Sequence, residues 1–358
     1  MSELRGSLEP PGLVGHFLQH PPEGFTPRRL AGRTPAFHAP FDLLTTAEPA
    51  VLRQLDRLKL RAPLRRWLTW ETCFVGTTVS EFAPLPAAAD ARTLIEHWLA
   101  DWSRQTRLLI VKDIPDQTEL IAESDQAFAA DLMAACRERG FVLLEGQALA
   151  YVPIDFASET EYLERLSSGR RKDLRRKLRS RGKISVEVLP TGSPELRQPS
   201  LLSTLYGLFE AVYAQSEIHF DKLSRGFFDA VFGDASLDGL VVLYRDQSGE
   251  LIGFNLLFCH QGMLVDKFIG LSYPAAREHN LYFVSWFENL RIARERGLSH
   301  YVAGWTDPAV KATLGARFTM TRHAVYIRDP LLRRVLTPLA GLFESDARVV
   351  ARVATPRV

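Results

Sequence analysis

Residues 239–271 confine the fold more than any other stretch of the chain. They form three apolar runs, Gly239 to Arg245, Glu250 to His260 and Met263 to Leu271, separated only by Asp246-Gln247-Ser248-Gly249 and by Gln261-Gly262. Turns this short join antiparallel neighbours, because a parallel return needs a crossover of a dozen or more residues. The chain is therefore committed to a sheet with an antiparallel meander. After it the apolar period lengthens to that of a helix from Leu281 to Arg296, closed by Gly297. A strand His300 to Ala303, a short helix near Pro308 to Leu314 and a strand Thr321 to Arg328 are predicted next.

Upstream, the second half opens with a long helix from about Glu159 to Arg181. A strand Ile184 to Leu189 and helices Pro199 to Ala214 and Ser224 to Phe232 follow. The first half makes a similar pass, with strands at Phe37 to Leu44, Trp70 to Val79, Arg107 to Lys112 and Phe141 to Ala150. Its helices are predicted at Glu48 to Leu60, Ala91 to Ser103 and Asp125 to Arg139. Two passes of similar length suggest a duplicated domain, and 358 residues suit two cores better than one. The fold class predicted is mixed α/β: two domains in tandem, each a mostly antiparallel sheet flanked by helices.

Residues 1–34, with Pro10, Pro11, Pro21, Pro22 and Pro27, read as a loosely packed arm. The domains are expected over 35–158 and 159–328. In 329–358, Leu331, Leu332, Val335, Leu336, Leu339 and Phe343 recur at helical spacing, and this stripe is expected to pack back on the first domain.

A net charge of +2 excludes a protein that binds polyanions with its whole surface, so DNA is not an expected partner and any anion site must be local. Cys73, Cys136 and Cys259 are widely spaced, without metal-ligand pairing, and read as small apolar residues in a reducing compartment; no metal is expected. No run approaches the roughly 20 apolar residues of a membrane helix, and a cytoplasmic location is expected. G-x-S-x-G, H-E-x-x-H and Walker sequences are absent, which removes the hydrolase, metalloprotease and P-loop readings.

The densest charge lies in RRKDLRRKLRSR, Arg170 to Arg181, with eight basic residues and one acid in twelve. If Leu163, Leu166, Leu174 and Leu178 form a buried stripe, helical period places Arg170 on it. A buried arginine needs an anion or a carboxylate. A solvated helix face is the plain reading of the stretch; burial leaves two others, an anion site and a structural ion pair. Arg171 and Arg175 add donors within about a turn, and phosphate matches the guanidinium fork.

Asp266 and Lys267 interrupt the apolar run MLVDKFIG. Adjacent strand residues face opposite sides, so one can face a cleft; an edge blunted by charge is the other reading. His219 and Asp221 fit a local hydrogen bond or an acid–base pair. On the Leu281 helix, Tyr282 and Trp286 spread with Phe283 and Phe287 over much of the circumference, which implies core packing with room for an apolar acceptor pocket.

Two segments carry a family resemblance: YLERLSSGRRKDLRRKLRSRGKISVEV, Tyr162 to Val188, and LYFVSWFENLRIARERGLSHYVAGWTDPAVKATLGARF, Leu281 to Phe318. The first resembles the helix-to-strand passage that opens the second domain of FemA/FemB/FemX-like members of the GNAT superfamily. The second is similar to their aromatic-rich helix, A-x-x-x-G end, strand ending in glycine, and K-x-x-F/L-G turn. The resemblance implies tandem GNAT-like domains and acyl transfer by direct attack, the donor thioester or ester lying between splayed strands and an amine or hydroxyl arriving from the other side. It implies a phosphate site along the basic helix, at Arg170 and Arg171, and puts Lys311 near the reacting carbonyl. Acyl-CoA is the donor expected first and aminoacyl-tRNA its rival; the acceptor is a metabolite or a cell-envelope precursor of the peptidoglycan kind. A non-catalytic anion-binding module is the third reading. The chain departs from acetyl-CoA users where they carry a glycine-rich R/Q-x-x-G-x-G/A loop: SYPAAREHN, Ser272 to Asn280, has no glycine, and Arg277 is its phosphate candidate. An attacking group also needs a base, for which Asp266 is the candidate.

Overall fold

The computed structural model describes residues 4–30, 33–46, 49–102, 106–216 and 220–336. The chain divides into two compact units, one of Met1–Ser7, Phe17–Leu149 and Phe318–Val358, the other of Leu8–His16 and Ala150–Arg317.

In the first unit, strands Thr26–Leu30, Thr34–Asp42 and Thr69–Val75 form an antiparallel run. Thr69–Val75 then pairs in parallel with Leu108–Asp116, which pairs antiparallel with Arg317–Ile327. The crossover between the parallel strands contains the helix Ala91–Asp101, capped by Asp90 accepting from the Thr93 amide. This helix and Glu123–Glu138 bury Leu94, Ile95, Trp98, Leu132 and Cys136 against the sheet's Cys73, Leu109 and Val111. Burial pushes the Cys73 and Cys136 thiols up to about 12, so both pack as small apolar groups.

The second unit repeats the device. Strands Ser185–Pro190, Gly239–Arg245, Leu251–His260 and Met263–Leu271 run antiparallel in that order. The last of them pairs in parallel with His300–Gly304, whose other neighbour is the 150–153 end of the strand Val142–Pro153. The crossover here contains Leu281–Glu295, which packs on both parallel strands. Helices Pro199–Tyr213 and Arg225–Gly233 contribute an aromatic cluster in which Phe209, Phe227 and Phe228 surround Phe268.

The predicted Glu159 to Arg181 helix is two helices, Glu159–Glu164 and Ser168–Lys177, followed by a 3-10 turn Leu178–Lys183. Residues 8–16, expected as part of a loose arm, are folded into the second unit, with Leu8 and Leu13 buried. Among the described residues no helix is long and apolar enough to cross a membrane. Leu339 and Phe343, in the stripe expected to pack back on the first domain, lie outside the described residues; Leu331 is 72% exposed.

Gly270 shows how tightly the meander is packed. A Cβ there would sit 2.2 Å from the ring of Phe254 and 2.9 Å from Cβ of Leu208. Phe254 is fully buried and cannot yield. Gly270→Ala is expected to cost about 1–3 kcal/mol, the usual penalty of overpacking, read as a lower denaturant midpoint at unchanged slope.

Candidate active site

The parallel strands of the second unit pair only over Met263↔His300, Leu264↔Tyr301 and Val265↔Val302. Asp266 is the first residue past the pairing. On its other side the ladder shifts, Leu256 facing Phe268 and Leu257 facing Asp266, which leaves Lys267 as the extra residue of a bulge. The bulge upsets the alternation that would expose only one of the two charges, and neither blunts an edge. Lys267, 4% exposed, pairs with Glu9 at 3.2 Å.

The Asp266 carboxylate gathers donors. Asn255 Nδ2 donates to both oxygens at 3.0 and 3.2 Å, Asn289 Nδ2 to Oδ2 at 2.9 Å, and the Tyr301 hydroxyl to Oδ2 at 2.8 Å. Oδ2 thus takes three donors and Oδ1 one. Burial raises the carboxyl to about 6, against the pull of the Asn255 and Tyr301 bonds, the Lys311 charge and the Asn289 bond. A carboxylate that titrates near neutrality is matched to general-base work.

Lys311 lies on the helix Pro308–Thr313 and is 4% exposed. Its Nζ donates to the Gly304 carbonyl at 3.1 Å. A Cβ on Gly304, whose φ is +78°, would sit 3.7 Å from the Asp266 carbonyl oxygen and 3.9 Å from Lys311 Nζ. Asp266, Gly304 and Lys311 therefore converge where the strands part. Trp286 meets Tyr301 edge to face at 5.2 Å, and burial raises the Tyr282 hydroxyl, with Asp307 and Asp266 adding to the shift.

The 272–280 loop spends its own amides. The N–H groups of Ala276, Arg277, Glu278, His279 and Asn280 bond carbonyls of Ser272, Pro274, Pro274, Ala275 and Arg277 at 2.7–3.2 Å. A pyrophosphate cradle needs such N–H groups turned outward.

The family model described as an acetyltransferase (GNAT) domain matches residues 168–312, which contain the meander, the parting strands, Asp266 and Lys311. Residues 168–312 carry a GNAT acetyltransferase domain. Solved structures agree in fold across nearly the whole length. L-PGS from Bacillus licheniformis is similar at TM-score 0.53 and 11% identity, over 95% of this chain and 99% of that one. FemX follows at 0.51 and 12%, over 91% and 98%. The C-terminal domain (DUF2156) of a putative lysylphosphatidylglycerol synthetase from Agrobacterium fabrum gives 0.52 and 14%, over 91% and 89%. No curated protein matches the sequence.

Within this GNAT unit the sequence candidates separate. Asp266 and Lys311 come together, with Trp286 and Tyr282 beside them. Arg170 is exposed and does not join a buried stripe; its Nη1 reaches the Ala312 carbonyl, next to Lys311, at 3.5 Å. The helix begins only at Ser168, so Arg170 sits in its exposed first turn ahead of the buried Leu174, and Leu166 lies outside that helix. Arg171 donates to the Glu164 carbonyl and Arg175 faces solvent. Arg277 donates to Gln215 Oε1 at 2.8 Å and lies over the Tyr273 ring. His219 lies outside the described residues. No group of three or more His, Cys, Asp or Glu that could hold a metal occurs among the described residues.

Sequence reasoning missed Asn255, Asn289, Tyr301 and Glu9. Asn255 had a signal: it is the one polar residue inside the apolar stretch LIGFNLLFC, where a polar group must find a buried partner.

Proposed function

We propose that this GNAT chain transfers an aminoacyl group, carried as an ester on RNA, to an amine or hydroxyl in the cleft where the second unit's parallel strands part. The observation that carries the choice of donor is the 272–280 loop, whose five consecutive amides are bonded within the loop and so unavailable to the pyrophosphate of coenzyme A. Phosphate contacts fall instead to side chains, and the exposed Arg170, Lys172, Arg175, Arg176 and Arg179 present them along one short stretch. The FemX fold and that of the named lysylphosphatidylglycerol synthetase support the reading, and the latter name suggests a cell-envelope acceptor.

In this reading the acceptor X–H attacks the ester carbonyl as Asp266 Oδ1 takes its proton. An X–C bond forms and the carbonyl electron pair moves to oxygen, where the Lys311 ammonium offsets the growing charge. Collapse breaks the C–O bond to the ribose, and the departing hydroxyl recovers the proton from Asp266. Asn255, Asn289 and Tyr301 hold the carboxylate for both transfers.

Equilibrium binding tests the donor. Aminoacyl-tRNA is expected to bind with strong salt dependence, and Arg175→Gln with Arg179→Gln is expected to flatten the salt slope by about two. Coenzyme A is expected not to compete. Micromolar coenzyme A binding that displaces no RNA, with a salt slope unchanged in the double variant, would return the donor to acyl-CoA.

A further inference from the structure

The first unit carries a surface that is no part of the candidate site, whose Asp266 and Lys311 belong to the second. Residues 49–68 form two short helices, Pro49–Arg57 and Arg61–Leu68, joined through Leu58, Lys59 and Leu60, with Lys59 left-handed at φ 55°. The second helix has no buried residue. Leu58 is 59% exposed, Leu60 45% and Trp67 79%, and only Val188 and Leu331 join them as exposed large apolar side chains among the described residues. Between Arg53 and Arg66 stand six basic residues, Arg53, Arg57, Lys59, Arg61, Arg65 and Arg66, all exposed, against Asp56 alone. Arg61 pairs with Asp56 at 2.9 Å and Arg65 with Asp42 at 3.1 Å.

An exposed apolar group costs free energy unless something covers it, and an indole is suited to a boundary with one apolar and one wet side. A turn tip reading Leu-Lys-Leu can sink two side chains below lipid headgroups while the lysine stem bends its ammonium back to them. Guanidinium groups on the flanking turns meet lipid phosphates. RNA would satisfy the arginines and stack on Trp67, but it offers Leu58 and Leu60 nothing apolar in which to bury. We infer that 53–67 docks the chain on the surface of an anionic lipid bilayer, without spanning it. The inference stands apart from the choice of acyl donor.

Sedimentation with vesicles tests it. The full chain is expected to pellet with vesicles of phosphatidylcholine and phosphatidylglycerol at about two to one, and far less with phosphatidylcholine alone or at high salt. Combining Arg53→Gln, Arg57→Gln and Arg66→Gln is expected to weaken binding on the order of a hundredfold, about fivefold for each charge. Leu58→Ser, Leu60→Ser and Trp67→Ser together are expected to weaken it at least about tenfold while the melting temperature holds, because the three side chains are already exposed. Arg175→Gln with Arg179→Gln, in the other unit, is expected to leave vesicle binding unchanged. The inference is overturned if the wild-type chain does not pellet with anionic vesicles. It is equally overturned if the apolar variant pellets like wild type, or loses tRNA binding and keeps the vesicles.

Discussion

Asp266→Asn is expected to lower turnover by about two to four orders of magnitude, the range for loss of a positioned general base. The substitution keeps the shape of the side chain. Its new N–H donors are met when the Asn255 and Asn289 amides, which now donate to Asp266, turn over and present the Oδ1 atoms that are buried without a hydrogen-bond partner. Lost activity with an unchanged fold would therefore report chemistry. In the wild type, kcat/KM should climb with pH and level off above about 6, where Asp266 becomes the carboxylate that accepts the proton. The same shift has a sign in stability. Between the unfolded value of 3.8 and about 6 the folded chain holds a proton that the unfolded chain has released. Asp266 therefore lowers stability progressively as pH rises through that window. Thermal melts from pH 4 to 7 should show this slope in the wild type and lose it in Asp266→Asn.

Lys311→Met is expected to reduce turnover about a hundredfold or more, as removal of one oxyanion donor does elsewhere. The stem of the lysine is already buried, and methionine fills similar volume without a charge to desolvate, so the melting temperature should move little. The pH profile separates this role from a merely electrostatic one. Lys311 pulls Asp266 downward, so the variant's rising limb should shift to higher pH while its plateau falls. Turnover within about threefold of wild type would leave Lys311 as a brace for Gly304.

Much of the second unit was legible because its signals are local. The meander's turns, the glycine after Arg296 and the K-x-x-L-G sequence at Lys311 each act within a few residues, and strands and helix appear where those signals place them. Long-range pairing was not legible. Nothing in Ala150 to Pro153 says that it pairs with His300–Gly304, nor in Thr321 that its strand pairs with Leu108–Asp116, because an edge accepts any strand with the right alternation. Arg170 went astray because the chain breaks at Arg165 to Ser167, which puts it in the exposed first turn of a new helix instead of between two buried turns of one long helix. Asp266 was found by its interruption of an apolar run, yet its partners come from three other elements that only the folded sheet assembles. Lys267 was placed as its alternating neighbour because a bulge leaves no mark in sequence.

The central claim, acyl transfer at the parting strands, is tested most directly by a trapped transfer reaction. Charged tRNA would be offered to the purified chain with hydroxylamine as a surrogate nucleophile, and aminoacyl hydroxamate followed by mass spectrometry in a single turnover. The account predicts formation well above the uncatalysed rate, lost in Asp266→Asn and in Lys311→Met and barely lower in the two together, since the groups act on one transition state. Hydroxamate formed at the wild-type rate by the double variant would contradict it, as would no acceleration with either charged tRNA or acyl-CoA.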